Sequence, residues 1–144
     1  MTRQRGHVPV NAQHAVVRRL SHAVLDGLVV LVALHSVVLG VCLLLFPLTT
    51  LGLVGWEFAG PRFWPSQAGL FLLILGVAYV AALRFRPFVW LVIGSKVSAF
   101  LFLRASVVWL DAPRLVAVLG CGDGLMGVAV AIALWRVHRA ERPR

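Results

Sequence analysis

The apolar stretch AVLDGLVVLVALHSVVLGVCLLLFP, residues 23–47, decides the fold of this chain. It exceeds the length of about 20 residues that a helix needs to cross the hydrocarbon core of a bilayer. Three stretches of the same kind follow, at about 63–83, 88–110 and 115–135. Because short connections make consecutive helices antiparallel neighbours, we predict an all-α, integral membrane four-helix bundle with antiparallel helices.

The connections between these stretches contain residues that end helices. They read FPLTTLG at 46–52, GPRFWP at 60–65, RFRP at 84–87 and DAPR at 111–114. Proline lacks the amide hydrogen that continues a helix, and the charged side chains favour water. The connections therefore separate four crossings.

The composition excludes an ordinary soluble protein. Of the 144 residues, 60% are hydrophobic and 13% are charged, and the mean hydropathy is +0.92. Soluble domains are about half apolar and about a quarter charged. The formal net charge of +9 is divided among short clusters between apolar stretches, without the basic, aromatic-rich face that grips nucleic acid. We therefore expect the lipid bilayer, and not nucleic acid, as the main partner.

The placement of arginines predicts the orientation in the membrane. With four crossings, the N-terminal segment, the 84–87 connection and the C-terminal tail lie on one side and carry ten arginines, against two on the other side. Basic residues concentrate in cytoplasmic segments. We therefore predict a multi-pass protein of the cytoplasmic (inner) membrane with both termini in the cytoplasm. The five tryptophans fall near the predicted helix ends, where amphipathic rings contact both lipid and headgroups; they are Trp56, Trp64, Trp90, Trp109 and Trp135.

The two ends of the chain form separate predicted segments. Residues 1–22 make a cytoplasmic N-terminal segment, in which 12–22 mixes apolar and basic residues and is predicted to lie as a short interfacial helix. The arginine pair at 18–19 resembles an export signal, but the apolar stretch after it is too long for a signal core. Residues 136–144 make a basic cytoplasmic tail, and residues 23–135 contain the four crossings.

Four ionisable residues fall inside the predicted crossings. Lys96 and Arg104 lie in GSKVSAFLFLR, residues 94–104, at depths of about 12 Å and about 24 Å from the cytoplasmic helix end. Asp123 and His35 both come out at about 18 Å. Ionised groups at such depth usually face protein or water and find partners. We expect Asp123 to pair with Arg104, Lys96 or both, and His35 to join them if the first helix closes the bundle.

The fourth crossing contains a face of small residues. In GCGDGLMGVAVA, residues 120–131, Asp123 lies at the margin of this face. Small residues allow membrane helices to approach closely, so Asp123 is expected to face a neighbouring helix. The predicted packing residues are Gly120, Gly124, Gly127 and Ala131.

The role of this polar cluster stays open between two interpretations. It either fixes the register of the bundle, or it forms a proton or ion relay or a polar site for a ligand headgroup. Accessory candidates are Glu57, Gln67, Tyr79, Cys42 and Cys121. Glu57 either lines an external mouth or is a solvated loop charge. Both cysteines are expected as free buried thiols, since a disulfide is geometrically marginal. Asp26, near the cytoplasmic interface, is expected to contact headgroups or Arg19.

Sequence signatures of enzymes and metal sites are missing. The chain has no phosphate-binding glycine loop, no H-E-x-x-H and no nucleophile elbow. Its five histidines are too scattered to suggest a metal site. We predict no catalytic residues, no metal and no cofactor.

The layout from FWPSQAGLFLLILGVAYVAALRFRP onward resembles that of the DoxX-like small four-helix membrane proteins of bacteria. The resemblance covers about residues 63–135 and includes the spaced glycines Gly69 and Gly76 and the basic link with Arg84 and Arg86. It implies a four-helix bundle in the bacterial inner membrane. Some members of that family are associated with quinone- or thiol-linked redox complexes.

Three hypotheses for function follow. The first is a non-enzymatic membrane component or accessory subunit, either in a homo-oligomer or in a larger membrane complex. The second is a small proton- or ion-coupled transporter that works as an oligomer through the four ionisable residues in the crossings. The third is a quinone- or thiol-linked redox partner that involves Cys42, Cys121 or His35.

Overall fold

The chain is helical throughout the part that the structure describes. The computed structural model describes the backbone of residues 10–57 and 59–142, and the side chains of 15–57 and 59–142. Within these ranges there is no strand, and five helices follow one another. They are α1 Val10–Leu45, α2 Pro47–Leu53, α3 Phe63–Ala81, α4 Phe88–Trp109 and α5 Arg114–Glu141.

Four of these helices are long and apolar enough to cross a membrane. Their qualifying segments are Ala15–Leu45 in α1 and the whole of α3, α4 and α5. Between 17% and 28% of the most apolar window of each helix is buried inside the protein, so most of that surface needs an apolar surrounding. The prediction of four such helices, compatible with a multi-pass membrane protein, is confirmed.

The first helix differs from the prediction in its length. Residues 12–22 do not form a helix of their own, because α1 runs without a break through 36 residues from Val10 to Leu45. No proline lies inside this range, so nothing forces the backbone to leave the helical path between the basic segment and the apolar one. Similarly, α5 continues to Glu141, six residues into the predicted tail. Residues 1–9 lie outside the described residues.

A short helix that the sequence did not indicate follows α1. Helix α2 begins at Pro47, directly after Phe46, and has seven residues. Proline is compatible with the first turn of a helix, where its missing amide hydrogen has no partner to lose. The FPLTTLG segment thus ends α1 and begins a new helix.

Helix α1 occupies the centre of the packing. It packs mainly against α3 and α5, while α4 packs mainly against α5 and touches α3 only slightly. The buried core lies near the α3–α4 connection, where the middle of α1, the end of α3, the start of α4 and the second half of α5 meet. Its members include Leu25, Val29, Val32, Tyr79, Ala82, Val89, Val92, Val130 and Ala133.

Glycines bring two pairs of helices together. A Cβ atom built on Gly69 of α3 would lie 2.7 Å from the carbonyl oxygen of Gly40 in α1, and one on Gly76 would lie 3.4 Å from that of Ala33. Higher residue numbers on α3 thus contact lower residue numbers on α1. The same holds for α4 and α5, since Gly120 faces Leu103 whereas Gly127 faces Lys96.

Candidate functional site: a buried ion pair between α4 and α5

Lys96 of α4 and Asp123 of α5 form an ion pair in the interior of the protein. The Nζ atom of Lys96 lies 2.5 Å from Oδ1 of Asp123. The lysine side chain is 4% exposed and the aspartate side chain 13% exposed. Removing two charges from water is costly, and a close, hydrogen-bonded contact offsets much of that cost. The structure therefore brings together two of the four predicted ionisable residues in a charge-neutral contact.

Small residues on α5 make room for this contact. A Cβ atom on Gly127, one turn after Asp123, would lie 3.2 Å from the Cβ of Lys96. Gly124 faces the ring of Phe100, and Gly120 faces Leu103. The three predicted packing glycines thus all lie against α4, while Ala131 is half-buried. Close approach of the backbones brings the lysine within reach of the carboxylate.

His35 of α1 lies beside the same carboxylate. Its Nε2 atom is 3.8 Å from Oδ1 of Asp123, and its side chain is 39% exposed. This distance is too long for a hydrogen bond, so the contact is electrostatic and exists only when the imidazole is protonated. The partly exposed histidine therefore lies between the buried ion pair and the outer surface of the helices.

Arg104 does not share this site. It is exposed, and it follows Lys96 on α4 by eight residues, which is about 12 Å along the helix axis. Among the described side chains, the ion-pair partners of Asp123 are Lys96 and His35. Because α4 ends at Trp109, a long arginine side chain five residues before that end can extend to the interface. The expected pairing of Arg104 with Asp123 is not seen.

Hydroxyl groups form a second layer of polar contacts among the helices. The Tyr79 hydroxyl, buried on α3, lies 2.5 Å from Oγ of Ser95 on α4, which in turn donates to the carbonyl oxygen of Val92 at 3.0 Å. The Tyr79 proton therefore points to Ser95. Ser36 of α1 is completely buried, and its Oγ has no hydrogen-bond partner among the described residues. Tyr79 was predicted as an accessory residue, whereas the two serines were not.

A separate charged cluster links three parts of the chain near the α3–α4 connection. Arg86 donates to both carboxylate oxygens of Asp26, at 2.7 and 3.5 Å, and its Nη2 lies 3.3 Å from Nδ1 of His22. Nε2 of His22 lies 3.2 Å from Oε1 of Glu141. The expectation that Asp26 contacts headgroups or Arg19 is replaced by this contact with Arg86. The sequence carried only a weak signal for it, because the partners are separated by 60 residues or more.

The other candidates lie apart from the ion pair. Glu57 is exposed and Gln67 is half-buried. Both cysteines are free, Cys42 half-buried and Cys121 exposed, so the expectation that Cys121 is buried is wrong. Among the side chains of residues 15–57 and 59–142, no group of three histidine, cysteine or carboxylate side chains is placed to hold a metal ion.

Comparison with known proteins returns no relative: no protein-family model, no curated protein and no solved structure matches this chain. The resemblance to DoxX-like proteins therefore stays a prediction from layout.

Proposed function

We propose that the chain is an antiparallel four-helix bundle of the cytoplasmic membrane that serves as a non-enzymatic membrane component or accessory subunit. In this role the Lys96–Asp123 pair fixes α5 against α4, and the exposed apolar helix faces contact lipid or neighbouring subunits. The arginine asymmetry of the sequence supports an orientation with both termini in the cytoplasm. Residue numbers at successive contacts rise along α3 while they fall along α1, and they rise along α5 while they fall along α4. This pattern supports the antiparallel arrangement.

The burial of the Lys96–Asp123 pair carries this proposal. A carboxylate that carries a proton or an ion through a protein must exchange partners, whereas Asp123 is already neutralised by a lysine that is 4% exposed. Removing one member of such a pair leaves an uncompensated buried charge. A fixed ion pair of this kind specifies which faces of two helices meet.

A proton-coupled carrier is the second candidate, because His35 favours it. Its imidazole is 39% exposed and lies 3.8 Å from Asp123, so it offers a titratable group between the surface and the buried pair. Ser36 is the next residue on α1, and its buried hydroxyl group has no hydrogen-bond partner among the described residues. A relay through these groups requires Asp123 to change partners.

A set of variants of the pair separates the two functions. Lys96→Met and Asp123→Val are made singly and together, and Asp123→Asn is made to remove the titratable group with little change of shape. Arg104→Gln is the control because it changes a charge on the same helix as Lys96, away from the pair. Thermal unfolding in detergent is measured, together with proton flux into proteoliposomes.

The structural role predicts that each single variant loses about 3–5 kcal/mol of stability, that the double variant regains most of it, and that flux equals that of protein-free liposomes. A carrier predicts a proton flux above this background that Asp123→Asn abolishes while the protein stays folded. A double variant as unstable as the single ones would contradict the structural role.

A further inference from the structure

A surface pocket lies at the C-terminal end of α5. Trp135, His138, Arg139 and Arg142 line a shallow surface pocket of about 220 Å³. The spacing of three and four residues places Trp135, His138 and Arg139 on one face of α5, and Arg142 directly follows the end of the helix. The end of α5 therefore presents an aromatic ring and three basic side chains to the same small volume.

Within this pocket, the Arg139 guanidinium lies over the Trp135 ring. The distance from its central carbon to the ring centroid is 4.4 Å, within the range of a cation–π contact. The tryptophan is 54% exposed, so its other surfaces face the surroundings of the helix. Tryptophan concentrates at the border between lipid tails and headgroups, and Arg139 lies one turn, about 6 Å, further along the axis.

Among the residues that the structure describes, no acidic side chain lines this pocket. Glu141 is the only carboxylate side chain between residues 124 and 144, and its Oε1 atom contacts Nε2 of His22 at 3.2 Å. The carboxylate of Glu141 thus contacts His22 of α1, while the basic side chains line the pocket. Arginine binds phosphate through two parallel hydrogen bonds, and Arg139 and Arg142 both line the pocket.

We infer that this pocket binds the phosphate of an anionic phospholipid headgroup. Arg139 and Arg142 contact the phosphate oxygens, His138 donates a hydrogen bond, and Trp135 lies against the glycerol and upper acyl chain. A membrane lipid fits better than a soluble phosphate because Trp135 lies on the same face of α5 as the exposed apolar residues Val128 and Ile132, in a helix long and apolar enough to cross a bilayer. This inference requires only that α5 lies in a bilayer, and it is independent of the role of the Lys96–Asp123 pair.

The test uses Trp135 as its own reporter. The full chain, with the other four tryptophans replaced by phenylalanine, is placed in phosphatidylcholine nanodiscs that contain a minor fraction of one lipid brominated on its acyl chains. Bromine quenches tryptophan at contact. Quenching by brominated phosphatidylglycerol is compared with quenching by brominated phosphatidylcholine at the same fraction, and retention of phosphatidylglycerol by the protein with all its tryptophans is measured by native mass spectrometry.

The expected result is preferential quenching by brominated phosphatidylglycerol. A direct hydrogen bond to a charged group contributes about tenfold or more in affinity, so Arg139→Gln and Arg142→Gln are each expected to lower the preference for phosphatidylglycerol by about tenfold. Arg136→Gln is the matched control, since it removes the same charge from the same turn but does not line the pocket. Arg136→Gln is expected to keep most of the preference for phosphatidylglycerol over phosphatidylcholine.

Three results would overturn the inference. An equal loss in Arg136→Gln and Arg139→Gln would indicate diffuse attraction by positive charge. Displacement of phosphatidylglycerol by inorganic phosphate, at an ionic strength matched with sodium chloride, would indicate a site for free anions. The absence of quenching by either lipid would place Trp135 outside the bilayer and would count against the membrane arrangement itself.

Discussion

Gly69 of α3 and Gly40 of α1 face each other so closely that neither has room for a methyl group. A Cβ atom on Gly69 would lie 2.7 Å from the carbonyl oxygen of Gly40, and a Cβ atom on Gly40 would lie 2.9 Å from the carbonyl oxygen of Gly69. The close approach is therefore reciprocal and involves backbone on both sides. Because backbone atoms cannot rotate away as a flexible side chain can, this contact sets the distance between α1 and α3.

The first prediction concerns this glycine contact. Gly69→Ala is expected to lower the stability by about 1–3 kcal/mol, since an added methyl group forces packed helices apart. Gly94→Ala on α4 is the control, because a Cβ atom there would meet nothing within 4 Å. Thermal unfolding in detergent measures both. Equal stability of the two variants would show that α1 and α3 separate without cost.

The second prediction concerns the hydrogen bond between Tyr79 and Ser95. Tyr79→Phe keeps the ring but removes the hydroxyl group that donates to Ser95, and we expect it to cost about 1 kcal/mol. Ser95→Ala in the Tyr79→Phe background is expected to cost less than in the wild type, since the bond is already lost. Ser98→Ala, at an exposed position of α4, controls for the loss of a hydroxyl group. Additive effects of the two changes would contradict a direct bond.

The third prediction concerns the charged contact between Arg86 and Asp26. Both side chains are about 40% exposed, so Arg86→Gln is expected to cost about 1 kcal/mol and to cost less at high salt, where the wild-type contact is screened. Arg84→Gln removes the same charge from the same connection, at an exposed position. Unfolding at low and high salt compares the variants. The same loss in both variants would mean that the contact with Asp26 contributes nothing specific.

The fourth prediction concerns the orientation in the membrane. With both termini in the cytoplasm, the connection between α2 and α3 faces outward. In a chain lacking Cys42 and Cys121, Glu57→Cys is therefore expected to react with a membrane-impermeant maleimide in intact cells, whereas Arg136→Cys is not. Both variants should react after detergent treatment, which shows that each thiol is accessible. Labelling in the reverse pattern would invert the proposed topology.

Properties that depend on a short stretch of chain could be predicted from the sequence. Length and hydropathy are local, so the four apolar stretches predict four helices that can cross a membrane, and the structure contains them. The face of small residues around Asp123 was also predictable, since three glycines at helical spacing must lie close to one side of α5. The continuity of α1 was not predicted, because the change from basic to apolar residues near 22 suggests a new environment without requiring a break in the helix.

The sequence by itself determined that the chain has four helices long and apolar enough to cross a membrane, and that ionisable side chains lie within them. Only the tertiary structure decided that Asp123 pairs with Lys96 and not with Arg104, and that Asp26 pairs with Arg86. Depth along a helix follows from counting residues, but a contact also depends on the rotation of each helix about its axis and on how closely two backbones approach. Those two quantities are set by packing between distant segments, which for α4 and α5 means the fit of Gly120, Gly124 and Gly127 against the side chains opposite.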